Sequence, residues 1–186
     1  MELTEIINRI SPLPISSLNL LKDIFELVEL PQKELIATEG VFQRNMYFLK
    51  KGIARLYAYT ADTEVTFSFS KEGDSLFSFK SYMLKKAGYE NIELLEDSQL
   101  YKTNINQLEQ LYNSDIHIAN WGRRLAEIEL IKTEERFIYR QFKTASERYY
   151  DLVERHPDLL QRVQLSHIAS YLGITQVSLS RIRAQK

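Results

Sequence analysis

The side chains that most often carry catalysis are scarce in this sequence and poorly spaced for it. There are no cysteines, which removes disulfides, thiolate zinc sites, iron–sulfur clusters and thiol nucleophiles together and fits a reducing compartment. The histidines are His117, His156 and His167. Metal-dependent oxygenases and isomerases built on small β-barrels need two or three histidines projecting from barrel strands. Here all three fall in a half of the chain whose pattern is helical, and a lone helix-surface histidine such as His117 is a weak case for haem ligation. The acids Glu93 and Glu96 sit at expected strand edges with no sign of convergence. No G-x-S-x-G, Walker lysine or G-x-G-x-x-G occurs. The inventory argues against an enzyme, and no metal or cofactor is expected.

What remains is recognition chemistry. Residues 163–186 read VQLSHIASYLGITQVSLSRIRAQK. Counting Leu165 as the first position, Ala169 is fifth and Gly173 ninth. Ile168, Leu172, Ile174, Leu179 and Ile182 fill the fourth, eighth, tenth, fifteenth and eighteenth. A helix-turn-helix needs this pattern: a small residue where two helices touch, a turn residue tolerant of positive φ, and apolar positions that pack the pair. Thr175 then caps the second helix. Gln176, Val177, Ser180 and Arg181 are left on its outward, N-terminal side, where such a helix meets a major groove. Arg181 brings a guanidinium fork suited to guanine O6 and N7. Thr175 and Ser178 flank that face as phosphate donors, and Arg183 adds charge from a neighbouring side. The same spacing also suits two surface helices that merely finish a core, with Arg181 and Arg183 solvated.

Charge sharpens the distinction. Residues 155–186 hold Arg155, Arg162, Arg181, Arg183 and Lys186 against Asp158, near +4, while residues 1–154 are near −5. A basic segment on an acidic body points to a polyanion partner at one end.

The elements that must position this segment follow from periodicity. Residues 16–28 begin with serines and place Leu18, Leu21, Phe25 and Val28 on one helical face, closed by Pro31. KELIAT (33–38), MYFLKK (46–51), IARLYAYT (53–60) and EVTFSFS (64–70) are short, β-branched and aromatic, punctuated by Gly40, Gly52 and Gly73. Val65, Phe67 and Phe69 face one way, Thr66 and Ser68 the other, and residues 60–63 read as a hairpin turn. IELLE (92–96) and QLYKT (99–103) add strands, so the body is a barrel or sandwich. Beyond Asn104 the pattern is helical. Ile118, Trp121, Leu125 and Ile128 are spaced 3-4-3 on a helix from about 115 to about 140, a coiled-coil-like seam. Thr144 to Glu147 form a capping box whose helix runs to His156, where Pro157 disfavours continuation. The N-terminus MELTEIINRI lacks an apolar core for a signal peptide, and no apolar run reaches the ~20 residues of a bilayer span. A cytoplasmic protein without membrane contact is expected.

This order of elements, with KELIATEGVFQRNMYFLKKGIARLY and SERYYDLVERHPDLLQRVQLSHIASYLGITQVSLSRIR, resembles the Crp/Fnr family of bacterial transcription regulators over nearly the whole length. The resemblance implies an α+β chain: an N-terminal double-stranded β-helix, that is a jelly-roll-like β-roll sensor of the cyclic-nucleotide-binding type (1–114), a long dimerisation helix (115–140) and a C-terminal helix-turn-helix domain (141–186). It implies a homodimer held by Ile118, Trp121, Leu125 and Ile128, and an effector pocket near Gly73, Asp74, Lys80, Tyr82 and Arg123. It also implies double-stranded DNA and RNA polymerase as partners. It names no effector. The family's cyclic-nucleotide cassette pairs Gly-Glu with a later Arg-Ser or Arg-Thr. Here Gly73-Asp74 is present, but no arginine occurs between Arg55 and Arg123, so cyclic-nucleotide binding is not expected. The strands that follow the recognition helix in longer members are missing, and Gln176-Val177 replaces the Arg-Glu pair common in nucleotide-responsive ones. The rival reading is a ligand-sensing or protein-interaction roll with a vestigial helix-turn-helix.

Overall fold

The computed structural model describes residues 1–61 and 63–184; Asp62, in the expected hairpin turn, and Lys186, in the basic segment, lie outside the described residues. The chain forms α1 (Leu3–Ile10), α2 (Ile15–Asp23), β1 (Glu26–Leu30), β2 (Leu35–Ala37), β3 (Asn45–Lys51), β4 (Ala54–Tyr59), β5 (Glu64–Ser70), β6 (Ser75–Leu76), α3 (Phe79–Leu84), β7 (Asn91–Leu94) and β8 (Ser98–Asn104). Helices follow: α4 (Ile105–Ser114), α5 (Ile116–Phe142), α6 (Ala145–Arg155), α7 (Pro157–Arg162), α8 (Leu165–Leu172) and α9 (Gln176–Ala184). Two compact units result. The first is made of residues 1–56 and 69–130, the second of 57–68 and 131–186.

The roll is two four-stranded sheets, ordered β1-β8-β3-β6 and β2-β7-β4-β5. The non-consecutive neighbours are what a jelly-roll-like wrapping produces, so the α+β expectation with a β-roll is what the chain adopts. Ile36, Leu49, Ala54, Leu76, Ile92, Leu94 and Leu100 fill one core cluster. A second cluster joins Met46, Phe48 and Tyr101 of the sheet to Leu3, Ile6 and Ile7 of α1 and to Ile105 and Leu108 of α4. Gly52 has φ 127, and a Cβ there would run into Ser98, so the β3–β4 turn requires glycine.

Several expectations are corrected. The helix over 16–28 ends at Asp23: Glu26–Leu30 is a strand, paired antiparallel with β8 from Glu26↔Lys102 to Leu30↔Ser98. The serines do not cap α2, whose N-cap is Pro14; Ser17 Oγ instead donates to Asp115 Oδ2 at 2.7 Å. The expected alternation in β5 holds, and its buried face is the small polar one, Thr66, Ser68 and Ser70, while Val65, Phe67 and Phe69 are half-buried. Glu93 is an ion-pair partner, accepting from Arg55 Nη2 at 2.7 Å.

The seam on α5 is the largest correction. Ile118 and Trp121 are 0% exposed and Leu125 4%, all within the core cluster of the first unit. Trp121 Nε1 donates to the Ile7 carbonyl at 3.0 Å, and its ring meets Phe48 edge-on at 6.1 Å. Ile128 is half-buried. A side chain already removed from solvent by its own fold has no surface to offer a second chain, so a 3-4-3 spacing marks here the face that packs on the roll. Gly122 lies beside this stripe, where a Cβ would sit 2.5 Å from the Tyr112 ring. Other apolar residues of α5 are exposed: Ile116 (70%), Leu130 (69%) and Phe137 (66%) share one stripe, and Ile131, Ile138 and Phe142 lie off it.

Candidate nucleic-acid interface

The second unit is organised around helix ends. Thr144 Oγ1 accepts from the Glu147 amide at 3.3 Å, and the Glu147 carboxylate accepts from the Thr144 amide at 2.8 Å, the reciprocal capping box expected for α6. The Thr144 amide, and with it the Thr144 hydroxyl at 2.7 Å, donates to the Glu147 carboxylate and holds that carboxyl below its ordinary range. Helix α6 stops at Arg155, and Pro157 occupies the first turn of α7, where a missing N–H costs nothing. One turn into α6, Arg148 donates from Nη1 to the Lys143 carbonyl at 2.6 Å and from Nη2 to the Leu172 carbonyl at 2.6 Å. A single guanidinium thus satisfies orphan carbonyls at the ends of α5 and α8. Sequence reading missed this residue, because its partners are backbone atoms remote along the chain.

Helices α8 and α9 form the expected pair. Gly173 closes α8 in the left-handed region, φ 69 and ψ 32. Its amide donates to the Ser170 carbonyl at 3.0 Å, and the Ile174 amide to Ala169 at 3.0 Å. Thr175 Oγ1 accepts from the Ser178 amide at 3.1 Å and so caps α9. Ile168, Ala169, Leu172, Leu179 and Ile182 are buried. Since a helix turns about 100° per residue, Val177 points away from the Leu179–Ile182 stripe. Ser180 and Arg181 lie on either side of it, and Gln176 and Arg183 on one flank. All five are exposed, Val177 at 62%. Ser178 is half-buried and Ser180 Oγ donates back to the Gln176 carbonyl at 3.0 Å.

The β4–β5 hairpin tip belongs to this unit. Ser170 Oγ donates to the Glu64 carbonyl at 3.1 Å and accepts from the Thr66 amide at 2.9 Å, fastening α8 to the strand. His167 Nδ1 lies 3.9 Å from Glu64 Oε1.

The residues expected around an effector are dispersed. Gly73 (φ 91) lies against Met1 and Arg9, and Asp74 Oδ2 accepts from the Lys71 amide at 3.0 Å. Lys80 is exposed, Tyr82 donates to the Tyr112 hydroxyl at 3.2 Å, and Arg123 pairs with Glu127 on its own helix. Burial raises both tyrosine hydroxyls, Tyr112 well above the ordinary tyrosine range. A cavity of about 370 Å³ instead opens at the β1–β2 end of the roll, with Val28, Leu30 and Ile36 on its apolar side and Tyr47, Asn45 and Lys102 on its polar side. Among the described residues no cluster of His, Cys, Asp or Glu suits a metal ion, and no helix is long and apolar enough to cross a membrane.

Comparison with known proteins agrees with this architecture. Residues 27–115 match the cyclic nucleotide-binding domain family. No curated protein matches in sequence. Among solved structures, FixK2 from Bradyrhizobium japonicum is similar at TM-score 0.71 and 20% identity, covering 87% of this chain and 84% of its own. A transcriptional regulator of the Crp/Fnr family from Eubacterium rectale superposes at TM-score 0.73 and 15% identity, covering 91% and 82%. The catabolite activator protein of Thermus thermophilus covers 94% of this chain and 84% of its own at TM-score 0.59 and 18% identity. Residues 27–115 are thus similar to the cyclic nucleotide-binding domain family, and the chain has the fold seen in solved structures of Crp/Fnr-type regulators.

Proposed function

We propose that this protein is a homodimeric transcription regulator that reads duplex DNA with α9 and acts in the cytoplasm. The outward face of α9 carries the reading. It presents Gln176, Val177, Ser180 and Arg181 free of the packing that Leu179 and Ile182 supply from behind. A guanidinium fork beside a short hydroxyl and an amide is donor and acceptor chemistry matched to base edges in a major groove. Arg183, on the flank, supplies phosphate attraction. Thr175, already spent as a cap, and Ser178, bonded to it, set the helix start against the backbone.

The dimer forms along a different stripe of α5 from the one that its tryptophan marks. Ile116, Arg123, Leu130 and Phe137 recur every seven residues, with Ala119, Ala126 and Thr133 interleaved, and the three apolar members are about two-thirds exposed. Two-fold pairing on this stripe presents two copies of α9, which require a palindromic site with half-sites about one helical turn apart. The effector is not a cyclic nucleotide, because no arginine lies between Arg55 and Arg123 to form a fork for the phosphate.

Selection of bound duplexes from a random pool tests the reading. The expected product is an inverted repeat whose affinity falls steeply with salt. A pool that shows no enrichment, with no duplex binding even at low salt, would leave the roll as a sensing or interaction module and end the proposal.

A further inference from the structure

The second unit contains a cleft that the α9 face does not use. It measures about 530 Å³ and is walled by the C-terminal half of α5, by α6 and by Tyr171 of α8. That falls within the size range of small-molecule sites, about 300–1,000 Å³, and far exceeds the space an inorganic anion fills. Its apolar surface comes from Tyr139, Phe142 and Tyr171, with Ile138 beside them. Its charge comes from Lys132, Arg136, Lys143, Arg148 and Arg155 against two carboxylates, Glu135 and Asp151.

Not all of that charge is spent. Lys143 and Asp151 neutralise each other as an ion pair. Arg148 is engaged with backbone carbonyls, yet its Nε is buried with no hydrogen-bond partner. Arg136 donates to the neutral Thr133 Oγ1 at 2.9 Å. Among the described residues neither Arg136 nor Arg155 has a carboxylate at ion-pair distance. Arg155 feels Asp151 only at longer range, and that carboxylate is already paired with Lys143. The cleft thus keeps two guanidiniums not closed by a direct ion pair beside three aromatic rings, complementary to a flat ring carrying two anionic groups. We propose that this cleft binds a nucleoside diphosphate, its base against Tyr139, Phe142 and Tyr171 and its phosphates on Arg136 and Arg155.

Concavity separates this occupant from duplex DNA, whose bases are stacked and whose phosphates lie on convex ridges. Along α5, Glu135, Tyr139 and Phe142 stand about half a turn around the helix from Leu130 and Phe137. A partner seated on Leu130 and Phe137 therefore leaves the cleft open. The site does not depend on the DNA reading and is tested without DNA.

Titration calorimetry of the whole chain with ADP is the direct measurement, with adenosine and inorganic pyrophosphate as half-ligands. ADP is expected to bind, and each half-ligand to bind at least about tenfold more weakly, since each forfeits one set of contacts. Arg136→Ala and Arg155→Gln should each weaken ADP about tenfold while the circular dichroism spectrum and melting midpoint stay put. Arg124→Ala, a cation outside the cleft, should change nothing. Three results overturn the proposal. They are no heat with ADP at millimolar concentration, undiminished binding in the Arg136→Ala, Arg155→Gln double variant, or pyrophosphate binding as tightly as ADP.

Discussion

Replacing Trp121 separates the two faces of α5. In the structure the indole is fully buried, touches Phe48 edge-on and sits in the cluster that also holds Ile6, Ile7, Leu21 and Leu108. Trp121→Ala removes that surface from the core and leaves a cavity, a change that costs about 3–5 kcal/mol in comparable cores. The lost N–H bond adds little. The Ile7 carbonyl also accepts from the Ser11 amide at 3.1 Å, so it is not orphaned. Trp121→Phe should accordingly cost about 1–2 kcal/mol, from volume and the one hydrogen bond. The assay is urea unfolding followed by circular dichroism, because the variants delete the chain's only tryptophan and with it the fluorescence signal. Light scattering runs in parallel at the same protein concentration. Leu130→Glu should behave oppositely, halving the molar mass at little cost to the roll, since that side chain is 69% exposed in the folded chain. A Trp121→Ala protein that loses less than about 1 kcal/mol, or that splits into monomers with its unfolding midpoint intact, would refute the assignment of this face to the core.

Three further outcomes are expected. Arg181→Ala should cost about 1–3 kcal/mol per half-site and flatten preference at one symmetric base position, whereas Arg183→Ala should weaken all duplexes alike and reduce the salt slope; competition binding against specific and random duplexes distinguishes them, and identical losses would make Arg181 a phosphate contact. Cyclic AMP should bind about two decades more weakly than to a roll with the arginine fork, and a micromolar constant by calorimetry would show that Lys80 or Lys85 replaces it. Gly173→Ala should destabilise the second unit by about 1–2 kcal/mol, read by hydrogen exchange in α8 and α9. A Cβ there has room, 3.4 Å from Arg140 Nη2, so the cost is that of a left-handed backbone at φ 69, and an unchanged exchange rate would contradict it.

Legibility in the sequence tracked how local the physics was. The α8–Gly173–α9 pair was readable because its packing positions, turn and cap all lie within a few residues of one another. The Thr144–Glu147 box was readable for the same reason. Residues 26–30 were not: ELVEL continues a helical apolar spacing as well as it alternates, and only pairing with β8, far along the chain, decides for strand. The α5 stripe shows a deeper ambiguity. Ile118, Trp121 and Leu125 repeat at the spacing of a coiled coil, but that spacing describes any apolar helix face and does not say what covers it. The exposed stripe through Leu130 and Phe137 is interrupted by Arg123 and Thr133 and reads more weakly. Arg148 and the cleft beside it left no signal, since lone arginines acquire meaning only from backbone carbonyls and rings brought together by folding.

The hairpin fastened to α8 constrains the order in which this protein can be made. Ser170 bonds to residues 104 and 106 positions earlier in the chain, so the strand pair leaves the ribosome long before its partner exists. The roll can consolidate during synthesis, but the second unit is discontinuous and must wait for residues past 170 before its hairpin finds a seat. Closing so long a loop is slow relative to forming α8 and α9 themselves, which makes docking of the hairpin the late step of folding. A fragment begun at Ile131 would retain every helix of the unit yet present Ser170 to water where Glu64 and Thr66 belong.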